Sequence, residues 1–157
     1  MGAAVRHLAV VMAVVVSGCS DSSGPGDMVP AALVGTWVAE PACLPLCGFT
    51  LSSVANPADS VNATAVLGIE TEISMTRAGV FRLVTRPGPP SLPGTVRAEA
   101  GNILVVTDAL GVVDTLDYTA SATHLHLRFR RTFLAFDFTG DGTFDPANAR
   151  GSFQRRP

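Results

Sequence analysis

Hydrophobic and polar residues alternate with a period of two along much of this chain. The pattern is cleanest at His124-Leu125-His126-Leu127-Arg128-Phe129-Arg130, where Leu125, Leu127 and Phe129 share one face. Successive side chains of a β-strand point to opposite faces, so strict alternation predicts a strand with one face buried. From Leu33 onward, short runs rich in Val, Thr, Phe and Leu recur between turn signals. The runs predict strands at residues 33–40, 49–54, 63–75, 80–86, 95–100, 103–108, 112–120, 124–138 and 147–156. Thr76-Arg77-Ala78-Gly79, Gly101-Asn102 and Gly140-Asp141-Gly142 read as turns, and the Pro-rich stretch 87–93 as a loop. After Phe129 the pattern becomes apolar on both faces at Phe133-Leu134-Ala135-Phe136, which predicts one long bent strand with a bulge at Arg130-Arg131. No segment keeps a 3.6-residue apolar period long enough for a surface helix. Eight or nine strands in sequential hairpins predict an all-β domain, an antiparallel up-and-down β-barrel of about eight strands.

The first residues follow a different pattern. Arg6 precedes nine uninterrupted apolar residues, 8–16, and Val16-Ser17-Gly18-Cys19 comes next. A charged start, a short apolar run and small residues ahead of a cut site form a secretory signal. Nine apolar residues are too few for a spanning helix, which needs roughly 20. Val-Ser-Gly-Cys resembles the bacterial lipobox, in which the thiol takes a diacylglycerol and the chain is cut just before it. The resemblance implies lipidation of Cys19 and anchoring in the bacterial cell envelope. Ser20 in place of aspartate points to the outer membrane rather than the inner. An ordinary signal peptide with an incidental cysteine is the alternative. The expected organisation is therefore a signal peptide at 1–18, a lipidated cysteine with a flexible Gly/Pro/Ser-rich tether at 19–32, and a barrel domain at 33–157.

Composition changes this picture in two places. The chain has three cysteines; with Cys19 assigned to lipid, Cys43 and Cys47 remain, and an exported protein meets an oxidising compartment. They are expected to form a disulfide if the backbone turns at Pro45; a metal site would need further ligands, and none stands nearby. All 11 basic residues are arginine, and removing Arg6 with the signal leaves ten against 13 acidic residues. A net negative chain argues against nucleic acid as a partner, since such binding rests on neutralising phosphates.

Leu33-Val34-Gly35-Thr36-Trp37 resembles the Gly-x-Trp signature that opens lipocalins and bacterial lipocalin-like lipoproteins. Phe153-Gln154-Arg155-Arg156 is similar to the last strand of that family, and the hairpins at 77–81 and 100–104 look like its hairpins. The resemblance implies a calycin-type barrel with an apolar interior. It also implies that Trp37 plugs the closed end beside Gly35, with Arg155 or Arg156 packed across the indole. A single tryptophan that is simply core would leave the fold unchanged.

Candidate chemistry is sparse. Asp137, Thr139, Asp141, Thr143 and Asp145 place oxygens at the spacing of a calcium loop, with Gly142 at the sharp turn. A plain hairpin turn explains Gly-Asp-Gly equally simply. His124, His126, Arg128 and Arg130 form one polar row; it is either a solvated stripe or, if it faces inward, a grip for an anionic head group. Two histidines lack a third ligand for zinc. Glu70 and Glu72 read as a charged outer face. No nucleophile stands in a recognisable catalytic arrangement, so no enzyme is expected. The expectation is a lipid-anchored envelope protein whose barrel holds a small apolar or amphipathic ligand. The alternative is an envelope interaction protein with a filled barrel and a protein partner.

Overall fold

The computed structural model describes residues 28–88, 91–131 and 134–157. In chain order the strands are β1 (Gly35–Ala39), β2 (Gly48–Ser53), β3 (Ser60–Asn62), β4 (Glu70–Met75), β5 (Val80–Arg86) and β6 (Leu92–Glu99). They continue as β7 (Ile103–Asp108), β8 (Val113–Ala120), β9 (His124–Phe129), β10 (Leu134–Phe136) and β11 (Asp145–Arg155). Strands β4 to β9 pair each with the next, all antiparallel. The ring closes because β1 pairs with both β4 and β11, placing Trp37 opposite Ile73 on one side and Arg155 on the other. The result is a closed eight-strand antiparallel barrel with three additional strands. Closure leaves the eight barrel strands without the unpaired edges that invite aggregation. Among the described residues no helix is long and apolar enough to cross a membrane.

β11 is the spine of the molecule. One edge carries β9 along residues 150–154 and then β10 along 145–147. The other edge carries β1 at 154–155 and then β2 along 147–152. β1 and β2 are thus two halves of one side, separated by the turn that holds Cys43 and Cys47. The expected single strand at 124–138 is likewise two strands on one edge of β11. The ladder stops after Phe129, so the expected bulge at Arg130-Arg131 is the start of a break instead. The Arg130 N–H still donates to the Thr115 carbonyl at 3.0 Å.

Residues 63–75, expected as one strand, divide into a short helix α1 (Ala63–Val66) and β4. Asn62 caps the helix, its Oδ1 accepting the Ala65 N–H at 3.0 Å. Such caps satisfy a backbone donor that a helix start leaves open. Thr64 is fully buried, and its hydroxyl accepts the Phe49 N–H at 2.9 Å, which ties α1 to β2. The Thr64 contact is tertiary, and the apolar pattern of the segment carries no trace of it.

Met28, within the stretch read as tether, is hydrogen-bonded to the barrel. The Met28 N–H donates to the Arg77 carbonyl at 3.0 Å, and the Ala98 N–H donates to the Met28 carbonyl at 2.8 Å. Val29 and Leu33 are buried beneath the barrel's closed end, beside Trp37, Leu125 and Phe153. A second, smaller cluster of Leu51, Ala147 and Ala149 sits under β2 and β11, with Phe49, Phe129, Phe136 and Phe138 packed against it.

Candidate functional site

The same alternation that builds the strands decides what faces the interior. Along β8, residues Asp114, Leu116, Tyr118 and Ala120 share one face, and Leu116 is buried. Along β9 the inward residues are Leu125, Leu127 and Phe129. Large side chains fill the side of the interior formed by β1 and β11, where Trp37 and Phe153 are at most 1% exposed. On the β4–β9 side a cavity of about 280 Å³ remains. Its wall is Ile73, Met75, Phe81, Leu83, Leu104, Val106, Leu116, Leu127 and Phe129. No described residue of β1 or β11 lines it.

The cavity's rim carries Leu92, Pro93 and Val112, and three charged side chains, Asp108, Asp114 and Arg131. Leu92, Leu110, Val112 and Val113 are exposed around this end. Exposed apolar residues gathered at one place mark binding surfaces more often than scattered ones do. Asp108 is committed to the β7–β8 turn, its Oδ1 accepting the Leu110 N–H at 2.8 Å and the Val112 N–H at 2.9 Å. Asp114 is not so committed. Its Oδ1 is buried and accepts no hydrogen bond among the described residues, and Arg131 Nη1 stands 3.9 Å away. Neither Asp114 nor Arg131 stands out in the sequence. The signal was present in β8, where a carboxylate occupies a position that alternation assigns to the inner face.

The residues named for the barrel base come together except one. Arg155 lies over the Trp37 ring, its Cζ 4.2 Å from the centroid. Arg155 Nη1 donates to the Val34 carbonyl and Nη2 to the Ala32 carbonyl, each at 2.6 Å. Gly35 has φ +135°, and a Cβ there would stand 2.9 Å from Arg155 Nη1. Glycine is what lets the guanidinium cross at this point. Arg156 turns outward to Glu72 at 2.7 Å and Glu40 at 3.6 Å. The Trp37 indole N–H donates to the Leu33 carbonyl at 2.9 Å, which satisfies its one donor.

His124, His126, Arg128 and Arg130 lie on the outer wall, so the inward-facing version of that expectation is corrected. The inner positions of β9 belong to the apolar residues between them, because burying those residues fixes the strand's register. The row is tied up locally. His124 Nδ1 meets the Thr123 hydroxyl at 2.9 Å, and His126 Nδ1 meets the Ser152 hydroxyl at 2.8 Å. Arg128 and Arg130 both pair with Asp117, Arg128 at 3.0 Å. The Arg130 guanidinium, and after it Arg128, holds the Asp117 carboxyl below its ordinary value of 3.8.

The loop at Asp137, Thr139, Asp141, Thr143 and Asp145 does not gather its carboxylates. Among the described residues no three His, Cys, Asp or Glu side chains converge as a metal site. Asp137 instead closes the turn, accepting backbone N–H groups from Gly140 at 2.7 Å, Asp141 at 3.3 Å and Gly142 at 2.8 Å. Those bonds, Gly142 first, hold its carboxyl below 3.8. Asp141 is lowered too, chiefly by the Thr143 N–H it accepts at 2.7 Å. Of the residues expected to face calcium, Asp137 and Asp141 accept backbone N–H groups.

Cys43 and Cys47 stand at disulfide distance, with Cα atoms 5.5 Å apart. Both are buried in the main core, where they pin the turn between β1 and β2. Cys19, named for lipid, lies outside the described residues. Scans of family models, curated proteins and solved structures each return no match to this chain.

Proposed function

We propose that this chain is a lipid-anchored, lipocalin-like lipoprotein of a bacterial cell envelope, whose barrel holds one small apolar or amphipathic ligand. The cavity of about 280 Å³ carries this reading. Interiors normally pack as densely as organic crystals, with few voids larger than a water molecule. An apolar hollow of this size at one end of a barrel, ringed by exposed Leu92, Leu110 and Val112, fits a pocket better than a filled core. That favours a binding protein over an interaction protein with a solid barrel. The Gly35–Trp37–Arg155 base is the geometry that the family resemblance implies. The lipobox at Cys19 supports the anchor and, with it, the envelope location.

Mass spectrometry of the full chain recovered from membranes tests both halves. The expected result is a mature chain beginning at Cys19 with diacylglycerol attached, and one co-purifying small molecule per chain under native conditions. Leu116→Phe, which fills the cavity, is expected to lose that molecule and keep the anchor. A Cys19→Ser chain that is still cut and fractionates with membranes as before would refute the anchor. A ligand mass retained by Leu116→Phe would refute the pocket.

A further inference from the structure

We propose that the ligand is a single-chain amphiphile with a cationic, hydrogen-bond-donating head, and that Asp114 receives that head at the cavity mouth. The proposal rests on the binding-barrel reading and adds the chemistry of the ligand. Three observations carry it.

The first is the orphaned acceptor. Asp114 lines the cavity, whose other lining residues apart from Asp108 and Arg131 are apolar, and its Oδ1 is buried with no hydrogen bond among the described residues. A buried carboxylate oxygen has given up its water, and leaving it without a donor is costly. A ligand N–H placed in the cavity supplies the missing donor. The second is the charge balance at the mouth. Two carboxylates, Asp108 and Asp114, face one guanidinium, Arg131, among the residues lining the cavity. Arg131 Nη1 makes an ion pair with Asp114 Oδ1 at 3.9 Å, too long for a hydrogen bond, the two side chains being 62% and 25% exposed. A carboxylate ligand would meet like charge from Asp114 and Asp108; an ammonium would meet the opposite sign. The third is size. A cavity of about 280 Å³ has room for one medium alkyl chain with its head.

The test uses the full chain in phosphatidylcholine vesicles, melted with octylammonium, octanol or octanoate present. Trp37 is the single tryptophan and is fully buried, so its emission reports only the protein. Binding to the folded state raises the melting temperature in proportion to occupancy. Octylammonium is expected to reach half its effect at a concentration about tenfold or more below octanoate, since a hydrogen bond to a charged partner contributes on that scale. Asp114→Asn is expected to erase most of this preference and leave the octanol response in place. Arg131→Gln, a rim change that leaves the barrel core untouched, is expected to tighten octylammonium further. Octanoate binding as well as octylammonium, or a preference that survives Asp114→Asn, overturns the head-group assignment and leaves the pocket standing. A melting temperature unmoved by all three probes overturns the pocket itself.

Discussion

At the barrel base the guanidinium of Arg155 covers the Trp37 ring and binds the carbonyls of Val34 and Ala32. Its neighbour Arg156 stands in solvent between Glu72 and Glu40. The two side chains have the same chemistry and adjacent numbers, so their difference measures environment alone. Cation–π attraction and charge-assisted hydrogen bonds at a half-buried site contribute far more than exposed ion pairs. Arg155→Ala is therefore expected to lower unfolding free energy by about 2–4 kcal/mol in urea titration, because it also leaves two backbone carbonyls without donors. Arg156→Ala is expected to cost under about 1 kcal/mol. Equal losses from the two would mean that Arg155 is not holding the closed end. The pairing of Trp37 with a C-terminal arginine was legible from the family resemblance; alternation on β11 then decides which arginine it is. Trp37 and Arg155 are cross-strand partners, and Arg156, one residue on, projects to the other face.

Among the elements, those carried by local pattern were readable before the fold was known. Gly101-Asn102 lies in the three-residue connection between β6 and β7 with both residues at positive φ, +80° and +59°, a conformation that Gly and Asn tolerate best. The β9 alternation gave the inner and outer faces correctly for the apolar set. The break after Phe129 and the helix at Ala63–Val66 were not readable, because each depends on a partner distant in sequence. The loop from Asp137 to Asp145 shows the same limit in its chemistry: spacing suggests calcium, while the folded loop directs Asp137 toward three N–H groups. Two outcomes follow from that arrangement. Millimolar calcium is expected to move the melting temperature by less than about one degree, since no three acidic side chains among the described residues converge on one point. A shift of several degrees would show that the loop reorganises around the metal. The second outcome concerns pH. Asp117, Asp137 and Asp141 all have carboxyls lowered in the fold from an ordinary 3.8, so the folded state binds protons less readily than the unfolded chain. Their contribution is complete above about pH 5 and is lost as pH falls through 3.8 toward the lowered values. Melting temperature is thus expected to drop between pH 5 and 3, and to drop less in Asp137→Asn. Identical pH profiles for the two proteins would remove Asp137 from the account.

For the molecule as a whole, the decisive relation is between the cavity and the point where the chain joins the barrel. Neither was visible in the sequence, because wall spacing around a barrel follows from strand tilt and stagger rather than from any residue's identity. Met28 is held at the closed end by Arg77 and Ala98, while Leu92, Leu110 and Val112 ring the opposite end. Eight residues separate Cys19 from Met28. Fully extended, they reach at most about 30 Å. In the lipid-anchored reading, the closed end, where the chain enters, is expected nearer the bilayer, with the mouth opening away from it. A cationic amphiphile meeting Asp114 would then exchange with the aqueous side rather than with the supporting leaflet. Vesicle quenching measures this directly. With Cys19 lipidated and Cys43 and Cys47 paired, Leu110→Cys or Ala100→Cys each provides one free thiol for a fluorophore. A nitroxide on the lipid head groups is expected to quench the Ala100 label, at the closed end, several-fold more than the Leu110 label at the mouth. Equal quenching would mean that the barrel tumbles freely on its tether, and stronger quenching at Leu110 would turn the mouth toward the membrane and make the lipid itself the source of ligand.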